Sequence, residues 1–218
     1  KNGNNVGGNN DIYSIKVDGT NEIKLTNQND NFSPQYFFDN SSIIYTSSNG
    51  TWNGVYKMNI DGSNKHLLTP PGKSFNDPKI SPNGSMISVT SYDLNGSQIF
   101  VMNSNGTNLK QLTFTVSPRI YPGTPPDGNC NPSWSPNGEK LAYVSYQNGS
   151  PDIFIINSNG TGNKRLTDTP LRDENPYWTK DGNYILFSSN RDLNLSSEIY
   201  IMRAEGQLQT PLTNYTAA

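Results

Sequence analysis

One histidine, His66, and one cysteine, Cys130, bound the chemistry open to this chain of 218 residues. A hydrolytic triad needs a base, usually histidine. His66 lies directly before Leu67-Leu68-Thr69, in a segment expected to form an outer, solvent-facing strand. A cysteine nucleophile needs a basic partner, and zinc needs three or four ligands; one His and one Cys at different places in the sequence supply neither. Asn59-Ile60-Asp61-Gly62 and Asn157-Ser158-Asn159-Gly160 resemble the opening of calcium loops. An EF-hand closes on a bidentate Glu at its twelfth position, where this chain has Pro70 and Asp168, so both read as hairpin turns. No catalytic residue, metal site or cofactor is expected, Ca2+ being the one ion the loops could take. What remains is binding chemistry. Asp30, Asp77, Asp173 and Glu174 each precede an apolar, strand-like run, with Asn31, Asn76, Asn129, Asn131 and Asn175 beside them. Carboxylates and amides gathered at one mouth could hold a cation or a basic peptide. Arg119 and Tyr121, with Trp52 and Arg191, sit in loops and are of the types that anchor partners.

The elements that must position these residues follow from a repeat. Leu-Thr recurs at Leu25-Thr26, Leu68-Thr69, Leu112-Thr113, Leu166-Thr167 and Leu212-Thr213, at intervals of 43 to 54 residues. Before each pair comes a turn dipeptide, Asp18-Gly19, Asp61-Gly62, Asn105-Gly106, Asn159-Gly160 or Glu205-Gly206. Before each turn comes a β-rich pair: Ile12-Tyr13, Val55-Tyr56, Ile99-Phe100, Ile153-Phe154 or Ile199-Tyr200. A two-residue hairpin turn needs positive φ, which Asn-Gly and Asp-Gly supply at little cost. A second unit alternates with the first: Ser33-Pro34, Ser81-Pro82-Asn83-Gly84, Ser135-Pro136-Asn137-Gly138 and Thr179-Lys180-Asp181-Gly182. Each is followed by a run such as Leu141-Ala142-Tyr143-Val144, and three follow an X-Pro step at Pro78, Pro132 or Pro176. Two hairpins per repeat make four strands in about 45 residues, the size of one propeller blade. No segment carries a sustained helical period.

Bulk composition agrees. Hydrophobic residues are 32 %, charged residues 16 % and aromatics 11 %, with 19 Gly and 15 Pro. The aromatic content argues against disorder, and a turn-rich all-β chain accounts for the rest. The formal net charge is −2 with no Lys or Arg run, which speaks against nucleic acid. Apolar runs of about four residues are far short of the roughly 20 a membrane span needs.

Asn131-Pro132-Ser133-Trp134-Ser135-Pro136-Asn137-Gly138, then Asp152-Ile153-Phe154, then Asn159-Gly160 and Arg165-Leu166-Thr167, resemble the TolB-type propeller repeat. That family's pattern runs N-x-x-P-x-W-S-P-D-G, a strand ending in Ser, D-I-Y, a D-G turn and L-T. The resemblance covers nearly the whole chain and implies partner docking in the cell envelope. Departures are Asn for Asp at Asn83, Asn105, Asn137 and Asn159, a degenerate Phe38-Asp39-Asn40 turn, and an insertion between Phe114 and Asn129. The expected fold is an all-β propeller of four-stranded antiparallel blades over residues 1–218 as a single domain. Five outer hairpins against four inner ones imply four full blades plus a half blade, in a five-blade ring or as a fragment of a six-blade propeller. In such a ring the loops before the inner strands surround the mouth of the central channel. The expected function is non-catalytic binding of a protein or glycan partner by the loop face, at the periplasm or cell surface. The alternatives are an accessory propeller of a larger peptidase or a polysaccharide lyase. Ten Asn-x-Ser/Thr sequons, at Asn31, Asn40, Asn49, Asn83, Asn95, Asn105, Asn148, Asn159, Asn194 and Asn214, would make a decorated shell if the host glycosylates them.

Overall fold

The structure, a computed structural model, describes residues 10–93, 96–114, 128–192 and 197–213. Among these every regular element is a β-strand, and every sheet is antiparallel with strands in sequence order. A two-stranded sheet pairs β1 (Tyr13–Ser14) with β2 (Ile23–Lys24). Four four-stranded sheets follow. The first of these holds β3 (Asp30–Tyr36), β4 (Ser42–Ser48), β5 (Asn53–Asn59) and β6 (His66–Leu67); the next holds β7 (Phe75–Ile80), β8 (Met86–Asp93), β9 (Gly96–Asn103) and β10 (Lys110–Gln111). Then come β11 (Asn129–Trp134), β12 (Lys140–Ser145), β13 (Asp152–Asn157) and β14 (Lys164–Arg165), and last β15 (Asp173–Trp178), β16 (Tyr184–Ser189), β17 (Glu198–Arg203) and β18 (Thr210–Pro211). These are the four complete blades and the half blade expected from the repeat. The chain divides into two compact units, 1–78 and 79–218, with the division inside β7.

The outer turns differ in detail from the two-residue form. Asn59 N donates to Ser63 O at 2.9 Å and Gly62 N to Asn59 O at 2.9 Å, and of Asp61 and Gly62 only the glycine has positive φ, 82°. This is a three-residue loop closed by glycine in the left-handed region. The preceding Asp or Asn accepts from the hydroxyl two residues on: Asp61 from Ser63 at 2.6 Å, Asn105 from Thr107 at 2.7 Å, Asn159 from Thr161 at 2.7 Å. Two residues after each turn glycine the backbone is left-handed again, at Asn21, Asn64, Asn108, Gly162 and Leu208. Asn and Gly tolerate this region; Leu208 does so at a cost.

The inner hairpins carry a feature the spacing only hinted at. Ser33, Asp77, Asn131 and Asn175, each directly before a proline, have φ of 52°, 48°, 53° and 55°. In β3, β11 and β15 the register slips across this step, between Phe32 and Gln35, Cys130 and Ser133, and Glu174 and Tyr177. The X-Pro step is thus a β-bulge. Ser33-Pro34 belongs to this series and not to the Ser-Pro-Asn-Gly turns. The first inner turn is Phe37–Asn40, where Asn40 N donates to Phe37 O and Asn40, φ 54°, stands where the other blades have glycine.

Leu-Thr has a structural reason. The hydroxyls of Thr26, Thr69, Thr113, Thr167 and Thr213 accept from the backbone N–H of Ile12, Val55, Ile99, Ile153 and Ile199 at 2.8 to 3.1 Å. The same hydroxyl donates to the residue before that strand pair: Asp11 at 2.9 Å, Gln98 at 2.9 Å, Asp152 at 3.5 Å, and Glu198. A basic residue before Leu-Thr completes two of these clamps, Lys24 on Asp11 at 2.6 Å and Arg165 on Asp152 at 2.7 Å. In the second sheet the acidic position is Gly54 and the basic one Leu67. A Cβ at Gly54 would lie 2.6 Å from Leu67 Cδ1 and 2.7 Å from a Trp52 ring carbon, so packing replaces the ion pair.

Within residues 1–78, Ile12 and Leu25 of the half sheet pack on Ile43, Tyr45 and Met58. Within 79–218, Ile99, Val101 and Leu112 meet Trp134, Leu141, Tyr143, Phe154 and Ile156. Ala142, Val144, Ile153, Ile155 and Leu166 in turn meet Trp178, Ile185, Phe187, Tyr200 and Met202. The fourth sheet thus spends one face on the sheet before and the other on the sheet after, and its strands, buried on both faces, read as near-continuous apolar runs.

Candidate functional site

The bulges decide where the candidate binding residues stand. In the 79–218 unit the left-handed step turns the Asn131 and Asn175 side chains out of their strands. Asn131 is exposed, and its Nδ2 donates to Asn175 Oδ1 at 3.3 Å. Asn175 Nδ2 donates to Ser188 Oγ at 3.1 Å, and that hydroxyl donates to Glu174 O at 3.1 Å. A backbone left-handed and followed by proline is doubly disfavoured, and strain of this kind gathers where side-chain direction matters.

Glu174 is half-buried beside this row. Arg172 Nη2 approaches its Oε1 at 2.6 Å, and Tyr146 OH donates to the same oxygen at 2.9 Å. Burial and then the neighbouring carboxylate raise the Tyr146 phenol above its ordinary value, and the Glu174 hydrogen bond raises the Arg172 guanidinium. A neutral phenol, a guanidinium and a carboxylate therefore lie side by side, with the two amides close along the chain. This group offers donors and acceptors to a polar ligand and no nucleophile activated by a base.

Asp173 lies deeper. It is fully buried, with Arg191 Nη2 on Oδ1 at 2.9 Å and Thr169 Oγ1 on Oδ2 at 3.1 Å. Arg191, expected in an open loop, is drawn inward: it donates to Gln209 Oε1 at 2.6 Å and to Ser189 Oγ at 2.9 Å, and its guanidinium lies 4.7 Å from the Tyr200 ring centroid. In the 1–78 unit, Asp30 opens β3 and accepts from Asn10 N at 2.9 Å, and Asp77 is half-buried at the left-handed step of β7. Arg119 and Tyr121 lie outside the described residues. His66 is exposed on outer strand β6, its Nδ1 2.9 Å from Asn64 O, and Cys130 is half-buried in β11.

The sequence reading missed two features here. One is the partnership of Tyr146 and Arg172 with Glu174, which no spacing rule signals. The other is the burial of Asp152, whose carboxyl is raised above the usual range by desolvation, against the pull of Arg165. The D-I-F motif could have marked Asp152 as structural, since its equivalents clamp the Leu-Thr hydroxyl elsewhere. Among the described residues no group of three or more His, Cys, Asp or Glu could hold a metal ion. The Asp18, Asp39, Asp61 and Asp181 carboxyls all lie below the usual range, Asp39 through its backbone hydrogen bond from Ser41 and the others through side-chain hydrogen bonds within their own turns. Asn31, the first sequon, is buried, and its Nδ2 donates to Gln28 O at 2.7 Å.

The profile of the TolB beta propeller domain matches residues 4–130 and 123–217. The chain belongs to that family. A Tol-Pal system protein TolB from Alcanivorax borkumensis is 35 % identical over 63 residues, 28 % of this chain and 14 % of that protein. An uncharacterized peptidase, YuxL, from Bacillus subtilis is 37 % identical over 57 residues, 26 % of this chain and 9 % of that protein. The crystal structure of TolB from Acinetobacter baumannii superposes with a TM-score of 0.72 at 18 % identity, over 95 % of this chain and 49 % of that one. The chain thus spans about half of that TolB, and its matched stretches span small parts of the curated relatives. Among the described residues no helix is long and apolar enough to cross a membrane.

Proposed function

We propose that this chain is a non-catalytic binding or scaffolding propeller domain of the cell envelope or cell surface, and that it engages a protein or glycan partner through the loops and bulges at the start of its inner strands. One observation carries this reading. The Leu-Thr threonines and buried Asp152 and Asp173 are engaged within the fold, whereas the left-handed X-Pro steps direct an amide row, Asn131 and Asn175, to the surface beside Glu174, Arg172 and Tyr146. Strained backbone that exposes polar side chains on a rigid sheet suits recognition. Of the acidic residues in the first unit, Asp77 stands at the X-Pro position that Asn131 and Asn175 hold, and Asp30 at the position of Arg172. Asp173 serves from beneath, by holding Arg191. The Tol-Pal relative supports an envelope setting, which the family resemblance also implies.

The test is capture from an envelope extract and, in parallel, a glycan array, followed by affinity measurement with the purified partner. Asn131→Ala with Asn175→Ala, and separately Glu174→Gln, should each weaken that affinity at least about tenfold, the scale of a lost charged or paired hydrogen bond. The melting temperature should stay nearly unchanged. Equal loss of affinity and melting temperature would reduce these residues to structure. The peptidase relative favours a second reading, the propeller that accompanies a peptidase; peptide hydrolysis by the chain itself would overturn the non-catalytic assignment.

A further inference from the structure

The seam between the fourth and fifth sheets sets two buried carboxylates where the repeat elsewhere uses an amide. The family pattern N-x-x-P-x-W opens on asparagine, and the fourth sheet follows it with Asn129. That residue is fully buried, and its Nδ2 donates to Gln98 Oε1 of the third sheet at 3.1 Å. One repeat later the same two places hold Asp173 and Asp152, both 0 % exposed. The main chain brings them together, since Asp173 N donates to Pro151 O at 2.9 Å. The half sheet and its neighbour make the same link, Asn31 N to Asn10 O at 2.9 Å, with Asn31 in the amide place. Among the described residues, the seam of the fourth and fifth sheets alone opposes carboxylate to carboxylate at these places.

An amide donates a hydrogen bond to its neighbour across the seam; an ionised carboxylate cannot. Two such anions side by side repel, and one of them binds a proton more readily. The groups around them are unequally shared. Asp173 has both oxygens occupied, Oδ1 by Arg191 and Oδ2 by Thr169. Asp152 has less. Thr167 Oγ1 stands 3.5 Å from it, against 2.9 Å for the matching contacts of Asp11 and Gln98. Arg165 of β14 reaches Asp152 through Nη2 at 2.7 Å and exposed Asp168 through the same nitrogen at 2.7 Å, while its buried Nε has no hydrogen-bond partner. Asn148, in the turn before β13, adds a hydrogen bond. Glu198 of β17 lies beyond Ser189, two strands from Asp173, and holds the Thr213 hydroxyl. The balance goes against the anion: burial raises the Asp152 carboxyl most, Arg165 pulls it down, and Asp173 raises it further.

We propose that Asp152 and Asp173 bind one proton between them on mild acidification, and that this proton supplies the hydrogen bond an amide makes in the neighbouring seam and tightens the joint between the fourth and fifth sheets. The proton comes from solvent. Asp152 takes it and donates to an Asp173 oxygen, as Asn129 donates to Gln98 with the roles of the two sheets exchanged. Arg165 then turns to Asp168 alone, so no cation loses its partner. The titration belongs to the pair. Its sign opposes that of the turn aspartates. A folded carboxyl held above its unfolded value of 3.8 weakens the fold while ionised, so the weakening is relieved as pH falls through the folded value and is gone below 3.8. The joint adjoins Arg172 and Glu174, which flank Asp173 in the chain, but its action does not depend on what they bind.

The test is carbon-13 NMR of the aspartate carboxyls in the 218-residue chain as pH is lowered from neutral, with amide hydrogen exchange in parallel. The Asp152 carbon should move with a midpoint above the ordinary 3.8, and the Asp173 carbon should report the same event. Exchange of the Asp173 amide, corrected for its intrinsic rate, should slow about threefold or more across that step. Asp173→Asn with Arg191→Gln rebuilds the combination that the fourth sheet carries as Asn129 and Gln147. It should bring the Asp152 midpoint below 3.8 and leave the turn aspartates unmoved. The proposal is overturned if Asp152 titrates at or below 3.8 in the unaltered chain, a result that needs no variant to fold. It is overturned equally if the double variant keeps the raised midpoint, or if exchange at Asp173 does not slow.

Discussion

Single residues show where this repeat is satisfied and where it is not. Thr46 and Thr90 occupy the same strand position, are fully buried, and have hydroxyls with no hydrogen-bond partner; the fourth sheet has Val144 there. An unpaired buried hydroxyl costs free energy that an isosteric methyl does not. Thr90→Val should therefore raise stability by about 1 kcal/mol in thermal or urea melts. Leu208 holds φ of 55° where the other blades use Asn or Gly, and it is exposed. Leu208→Asn should add about 0.5–1 kcal/mol by relieving that backbone. The turn aspartates give a pH signature. Asp18, Asp39, Asp61 and Asp181 have folded values below the ordinary 3.8, so each stabilises above that pH and loses its contribution as pH falls through the folded value. Replacing all four with Asn, which makes the same turn at Asn105 and Asn159, should flatten the fall in melting temperature below about pH 4.

At the scale of the sheet, the clamp between Leu-Thr, its acidic partner and its basic partner is one device in several chemical versions. Arg165 meets buried Asp152 in the fourth sheet, Gln98 and Gln111 stand in the same places in the third, and Gly54 with Leu67 in the second. Asp152→Ala removes one partner of a buried pair and should cost about 3 kcal/mol, softened by the contact of Arg165 with exposed Asp168. Asp152→Gln with Arg165→Gln should recover most of that loss, because the third sheet folds with the amide version. Failure of the double variant to recover would mean the charge itself is needed. The hairpins were legible from residues such as Asn159-Gly160 and Leu166-Thr167, since an antiparallel hairpin is built from neighbours in the chain. The bulge was not. Asn131-Pro132 reads as an extended step, because a residue before proline avoids the helical region; that it is left-handed depends on the register of β12 beside it.

On the scale of the two units, neighbouring sheets within each unit share a core, the half sheet with the second within 1–78 and the third, fourth and fifth in series within 79–218, as in repeat proteins whose stability sums over repeats and interfaces. Removing residues 1–28 would uncover Ile43, Tyr45 and Met58, now packed under Ile12 and Leu25. That truncation should lower the melting temperature without abolishing the β-sheet circular dichroism signal. Residues 71–218, which keep all of β7, should fold by themselves with a cooperative melt; a failure to do so would show that the first unit is needed for the second to form.

Taken alone, the sequence determined the order of hairpins, the identity of their turns, the blade and half-blade count and the scarcity of catalytic groups, all of which rest on contacts within about 15 residues or on composition. Only the tertiary structure decided that buried Asp173 holds a half-buried Arg191, that Glu174 is shared by Tyr146 and Arg172, and that Ile15 is exposed where its four counterparts, Met58, Met102, Ile156 and Met202, are hidden. Burial is set by the sheet that arrives one repeat earlier or later, and nothing in the local spacing of a strand records whether that neighbour is present.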